Sequence, residues 1–216
     1  MVKEIIRKYG VNNRRRYAMF RKPAINFNLK LLIITDTHNS LMKKHFENID
    51  YQNIDCCLLL GDISYDDLAI IKQLISKPIH GVLGNHDSWS LYEDNQIENI
   101  HGKVIEINGV KIAGLQGSLK YKDVNAPLYT DKESKRIARE IPKADILISH
   151  DSPKYLYGKD NYAHSGLQGI TDYLVKNKVP LNIHGHHHKS SVERLRNGTV
   201  CKGCCGIEII ETNKLI

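Results

Sequence analysis

The chain has 216 residues, 41% of them hydrophobic and 25% charged, which suits one globular domain with a full core. No apolar run approaches the ~18 residues of a membrane span, and Met1 to Arg16 never reaches the apolar stretch of a secretory leader, so spanning and exported classes are set aside. The net charge of +7 is lopsided: residues 1–30 hold nine of the 31 basic residues and one of the 24 acidic ones, which leaves 22 basic against 23 acidic residues in the remainder.

Pro23 marks the join between a basic N-terminal arm, residues 1–27, and a single domain, residues 28–216. In the arm, residues 2–9 spell one or two helical turns ended by Gly10, and Asn12-Asn13 can cap a second short helix through Arg16. Tyr9, Tyr17 and Phe20 alternate with its charges. Residues 1–22 are therefore a candidate contact for nucleic acid, by phosphate neutralisation and stacking, with a solvated segment or partner contact as the plain alternative.

The domain opens with a strand at 29–35, then a helix capped by Asn39 or Ser40 and running to about Asn48. Strand 56–60 leads to Asp62. A helix begins at Asp66-Asp67 with Leu68, Ile71, Leu74 and Ile75 on one face. Pro78 precedes a third strand, and Asn108-Gly109 between two apolar runs predicts a hairpin. A polar loop, 117–130, precedes a helix near 131–140, ended by Pro142. Strand 144–148, a long loop 151–165, a helix 166–176 and a strand opening at Pro180 follow. A last pair, 190–196 and 199–210, turns at Asn197-Gly198. Strands alternating with helices, with hairpins in the second half, predict two packed sheets with helices outside.

Five cysteines, an odd number, with Cys56-Cys57 inside an apolar strand, fit a reducing compartment, and the expected location is cytoplasmic. Cys201, Cys204 and Cys205 form C-x-x-C-C. With no second pair opposite and a strand-like context, they read as buried small side chains rather than as a zinc site.

The chemistry gathers in five motifs, each directly after an apolar run: Asp36-Thr37-His38, Gly61-Asp62, Gly84-Asn85-His86-Asp87, Ser149-His150 and Gly185-His186-His187-His188. Singly each has a bland explanation, such as a capping Asp at a strand end or a buried His bonded to backbone. Jointly they place Asp, His and Asn at the ends of successive strands, where open α/β sheets collect ligands. Imidazole, carboxylate and amide oxygen suit manganese, iron, zinc or nickel, with no thiolate involved. A pair of ions ~3.5–4 Å apart needs a bridging anion and ligands on both flanks. If His186 and His188 face the ions, two-residue alternation turns His187 away. His184 could stand behind the ligands or be a satisfied strand-end His.

This order of motifs resembles the calcineurin-like metallophosphoesterase family, which reads D-x-H, G-D, G-N-H-D/E, a lone His and G-H-x-H. The match spans residues 36–188. The resemblance implies a four-layer α-β-β-α sandwich of two mixed sheets flanked by helices. It implies two divalent ions, manganese foremost, with iron, zinc or nickel as alternatives. Asp36, His38, Asp62 and His188 would hold one ion, and Asp62, Asn85, His150 and His186 the other, with Asp62 bridging. His86 would be a catalytic residue rather than a ligand, contacting the phosphate and protonating or stabilising the leaving oxygen, and Asp87 would orient its ring. The implied activity is hydrolysis of a phosphoester by a metal-bound hydroxide, as a phosphodiesterase or phosphatase on a small-molecule or nucleotide substrate. Specificity is expected from loop 117–130 (Tyr121, Lys122, Tyr129) and loop 151–165 (Lys154, Tyr155, Tyr157, His164). The alternatives are a nuclease that uses the basic arm and a non-enzymatic binding scaffold, against which His86 argues.

Overall fold

The computed structural model of the protein describes residues 28–158 and 161–216. The arm, its short helices and its nucleic-acid reading lie outside the described residues.

In the first sheet, β1 (Lys30–Thr35), β2 (Cys56–Leu59), β3 (Ile79–Gly81) and the short β4 (Glu98–Asn99) run parallel. The C-terminal strand β13 (Gly206–Glu211) closes the other edge, antiparallel to β1. The second sheet contains β5 (Val104–Ile107), β6 (Val110–Leu115), β9 (Ile146–Ser149), β10 (Leu181–His184), β11 (Ser191–Arg194) and β12 (Val200–Gly203), in the order β11-β12-β10-β9-β6-β5. A two-stranded ribbon, β7 (Ser118–Leu119) and β8 (Leu128–Tyr129), lies within the loop expected to be irregular. The helices are α1 (Tyr65–Leu74), the single turn α2 (Leu91–Asp94), α3 (Asp131–Glu140) and α4 (Gln168–Asn177).

Side-chain alternation along the strands builds the layers, because successive residues face opposite sides of a sheet. Leu31 and Ile33 of β1 pack with Ile146, Ile148, Leu181 and Ile183 in a core between the sheets. Leu32 and Ile34 point outward, onto Leu68 and Ile71 of α1. Across the other sheet, Leu147 meets Ala138 of α3 and Ile170 and Leu174 of α4. The order is therefore helix, sheet, sheet, helix, as expected. Each fully buried Leu or Ile contributes roughly 1.5–3 kcal/mol relative to exposure. The hairpin signal acts where it was read. Asn108 and Gly109 both have positive φ, 49° and 81°, and turn the β5–β6 hairpin. Thr130 and Glu133 form a reciprocal capping box on α3. Among the described residues no helix is long and apolar enough to cross a membrane.

Two expectations need correction. No α-helix forms between Asn39 and Asn48. A 3-10 turn, Lys43–Phe46, takes its place and a second, Tyr51–Asn53, follows; ahead of them the backbone is left-handed at His38 and Asn39, and the Asp67 carboxylate binds the N–H groups of Asn39 and Leu41. The last apolar stretch is not one strand of a hairpin. β12 pairs with β10 and β11, and the chain then crosses at Cys204-Cys205 to the first sheet as β13. Gly206, at φ 72°, makes the crossing turn. The C-x-x-C-C cysteines accordingly face three environments: Cys201 lies under α4, Cys204 between the sheets and Cys205 at the surface. All five cysteines are free, and burial pushes the Cys56 thiol up to about 12.

Candidate metal centre

β1, β2 and β3 are parallel within their sheet, as are β9 and β10 within theirs, so the carboxyl ends of all five motif-bearing strands reach the site. The two sheets are tied together there. The Asp36 carboxylate accepts from Thr35 Oγ1 (2.7 Å) and from the His186 backbone N–H (2.9 Å), across the boundary between the sheets. Gly61 and Gly84 let the β2 and β3 loops touch: a Cβ on Gly61 would lie 2.2 Å from Gly84 N. The backbone is left-handed at Asp36, His38, Asp62, His186 and His188, with φ between 47° and 67°. Such conformations are uncommon for residues other than glycine and cluster at functional sites. Five of the seven expected ligands share it.

The donor atoms converge. Asp36, His38 and His188 place one ligand atom each within 4.8 Å of one another, and so do Asp36, Asp62 and His150. His188 Nε2 stands 3.7 Å from Asp36 Oδ1, and the His38 and His188 rings stack at 5.2 Å. His150 is fully buried. Its Nδ1 lies 2.7 Å from the Leu60 carbonyl, which assigns the proton to that nitrogen. Its Nε2 stands 3.0 Å from Asn85 Oδ1 and 3.5 Å from Asp62 Oδ2. Asp62 Oδ1 accepts from the His86 backbone N–H at 2.8 Å. His186 Nε2 faces the Ala163 carbonyl at 3.2 Å, which leaves Nδ1 as its acceptor nitrogen, and its ring lies 4.9 Å from that of His150.

The electrostatics follow from crowding carboxylates and imidazoles out of water. For His150, burial opposes the charged form, but the Asp62 and Asp36 carboxylates and the Leu60 carbonyl outweigh it and hold its pKa above the ordinary range. For Asp62, burial works against ionisation, while His150, the His86 N–H and His186 prevail and lower its pKa. Burial brings His186 down to about 4, so its ring is neutral and able to ligate. One wall of the site is thus buried (Asp36, Asp62, Asn85, His150, His186). The opposite side, His38, His86 and His188, is open to solvent.

Asp87 does not orient the His86 ring. Its carboxylate accepts from Asp62 N (2.9 Å), Gly84 N (2.7 Å) and Ile63 N (3.1 Å), and so ties the β2 loop to the β3 loop. Burial raises its pKa to about 6. The His86 ring instead meets His38 edge-on, at 5.8 Å. Asp36, rather than Asp62, is common to both donor groups. His187 turns away from them, with Nε2 3.0 Å from Ser152 Oγ, and His184 lies within 3.3 Å of the Tyr157 hydroxyl. Residues outside the motifs also serve the site. Tyr121 OH stands 3.5 Å from Asn85 Nδ2, and His164 stacks on His186 at 4.7 Å. Both belong to the loops expected to set specificity, 117–130 and 151–165, while their partners at the site are settled only by the fold.

The donors fit a divalent ion. Asp36 Oδ1 is buried with no hydrogen-bond partner, an arrangement that costs roughly 1–3 kcal/mol unless something positive meets it. His150 Nε2, Asp62 Oδ2 and Asn85 Oδ1 converge beside it, where a metal cation can take the place of the ring's second proton. A cation satisfies both.

Comparison with known proteins agrees. The family model described as the calcineurin-like phosphoesterase superfamily domain matches residues 29–203. An uncharacterized protein of Haemophilus influenzae is 27% identical over 177 residues, covering 64% of this chain and 75% of that protein. The fold is shared by the protein TT1561 of Thermus thermophilus (13% identity, TM-score 0.59, covering 86% of this chain and 99% of that one). It is shared by an archaeal phosphodiesterase (17%, TM-score 0.52, 87% and 96%) and by phosphopantetheinyl hydrolase from Mycobacterium tuberculosis (11%, TM-score 0.55, 82% and 89%). With its family model matched across both sheets and an Asp/His centre at their junction, the chain belongs to the metal-dependent calcineurin-like phosphoesterase superfamily.

Proposed function

We propose that the protein is a phosphoester hydrolase that works with two divalent metal ions on a small-molecule or nucleotide phosphodiester or monoester. The observation that carries this reading is the pair of adjoining donor groups built around Asp36 and Asp62, where Asp36 Oδ1 is buried and has no donor. Asp36, His38 and His188 would hold one ion. Asn85, His150 and His186 would hold the other, with Asp62 between them. When bound, the ions supply Lewis acidity toward the phosphoryl oxygens and make water a stronger nucleophile at neutral pH. Manganese leads on ligand type, with iron, zinc or nickel as alternatives.

The chain's own residues do the rest. His86 is solvent-exposed beside His38, with its backbone N–H fixed on Asp62 and no hydrogen bond at its ring among the described residues. It is placed to touch a phosphate entering from the open side and to hand a proton from its ring to the leaving oxygen. Asp87 keeps the two loops in register. Tyr121, beside Asn85, borders the entrance and contributes to substrate choice. Four buried free cysteines support a reducing, cytoplasmic setting.

The experiment is hydrolysis of bis-p-nitrophenyl phosphate and p-nitrophenyl phosphate by metal-stripped protein, without metal and with added Mn²⁺, Fe²⁺, Zn²⁺ or Ni²⁺. Metal-dependent turnover of either ester is expected, and the preferred one separates diester from monoester chemistry. No turnover with any of the four metals would refute the reading. The basic arm favours a second reading, a nuclease. Under it, deleting residues 1–22 weakens DNA or RNA binding and flattens its salt dependence while small-ester hydrolysis stays. Equal binding and equal salt slope would end that alternative.

A further inference from the structure

One buried carboxylate beside the site belongs to no motif. Asp67, the third residue of α1, is 1% exposed. Its Oδ2 accepts from Thr37 Oγ1 and from Asn39 N (3.0 Å), and its Oδ1 accepts from Leu41 N (3.0 Å). All three donors belong to residues 37–41, the loop that leaves β1 and carries the first metal motif. The backbone there is left-handed at Asp36, His38 and Asn39 (φ 54°, 47° and 64°), none of them glycine. Such a run persists only where its surroundings hold it. The loop has no helix to satisfy its N–H groups, and Asp67 takes that part from a different element.

We propose that Asp67 is a positioning residue of the metal centre, clamping residues 37–41 so that Asp36 and His38 stay aimed at one ion. This rests on the reading that Asp36 and His38 hold a divalent metal. The chemistry of the clamp is specific. Two carboxylate oxygens receive three donors, one from a hydroxyl and two from backbone. An asparagine has the same shape but one oxygen and one NH₂. Whichever way it turns, its NH₂ meets an N–H or O–H. Asp67→Asn therefore releases part of the loop without removing volume. The loss of such a supporting partner weakens metal binding by ~10–100-fold.

The test is Mn²⁺ titration calorimetry on the metal-stripped full chain, with thermal melts alongside, for wild type, Asp67→Asn, Thr37→Val and Ile71→Val. Asp67→Asn is expected to weaken Mn²⁺ binding ~10–100-fold, and Thr37→Val, which removes one donor, to weaken it less. Ile71 lies on the buried face of the same helix, in one apolar cluster with Leu41, and takes no part in the hydrogen bonds of the clamp, so Ile71→Val should lower Tm and leave affinity unchanged. Wild-type affinity in Asp67→Asn overturns the proposal. So does an equal loss in Ile71→Val, which would trace the effect to helix stability alone. If Asp67→Asn does not fold, unchanged affinity in Thr37→Val overturns it instead. A wild-type chain that binds no Mn²⁺ would remove the metal reading itself, and the clamp with it.

Discussion

Replacing Gly84 by alanine should disable the site through a single methyl group. A Cβ there would lie 2.1 Å from Asp62 Oδ1, 2.5 Å from Asp62 N and 2.7 Å from Asp62 Cγ, where ordinary contact begins at 3.4 Å. Asp62 or the β3 loop must therefore retreat by roughly 1 Å to restore contact distance. Neither yields easily, because Asp62 N and Gly84 N share one oxygen of Asp87, and Asp62 Oδ1 is bound to the His86 N–H. The φ of Gly84 lies outside the left-handed range, so the steric clash acts alone. Overpacking of this kind costs about 1–3 kcal/mol, or ~2–4 °C of Tm per kcal/mol at this chain length. A 1 Å displacement of a catalytic group costs ~10²-fold in rate. Melting curves, Mn²⁺ titration and bis-p-nitrophenyl phosphate hydrolysis on Gly84→Ala would measure both. Gly102→Ala is the control: its Cβ would meet open space, and only the positive φ of 73° opposes it. It should lose about 1 kcal/mol of stability and keep metal and turnover. Full metal affinity and turnover in Gly84→Ala would refute the claim that the packing of these loops holds Asp62 in place.

Three further outcomes follow from the geometry. His86→Asn should keep its metal content while turnover falls ~10²–10⁴-fold. The loss should be smaller for p-nitrophenyl esters, whose leaving group needs no proton, and loss of metal would instead make His86 a ligand. Asp62→Ala should lose metal stoichiometry along with activity, and two full equivalents by elemental analysis would contradict its place between the ions. His101 is brought down to about 4 by burial, and its Nδ1 accepts from Gln116 N at 3.2 Å. The folded chain therefore keeps this ring neutral where the unfolded chain protonates it. Its contribution is intact above pH ~6.5 and lost as pH falls toward 4, by roughly 2–3 kcal/mol. Urea unfolding of metal-free His101→Gln should be less sensitive to acid than wild type between pH 7 and 4.5, and an identical pH dependence would sink the assignment.

What the sequence determined by itself is the inventory of the site and the frame that carries it. Continuous apolar runs mark the strands, because a strand buried on both faces must be apolar at every position, as Leu31–Ile34 is. Asn108-Gly109 acts through dihedrals within a few residues, so it could be read locally. The candidate ligand residues stand at strand ends, which placed them on one side of the molecule before any coordinates. Only the tertiary structure decided how their oxygens and nitrogens are used. Asp87 spends its carboxylate on Asp62, Ile63 and Gly84 rather than on its neighbour His86. Asp67 reaches back about thirty residues to hold the loop where a helix was expected. β13 leaves one sheet for the other after Cys204. Each is a long-range choice among partners that local propensity leaves equivalent, and it is settled by which donors and apolar faces meet when the two sheets pack.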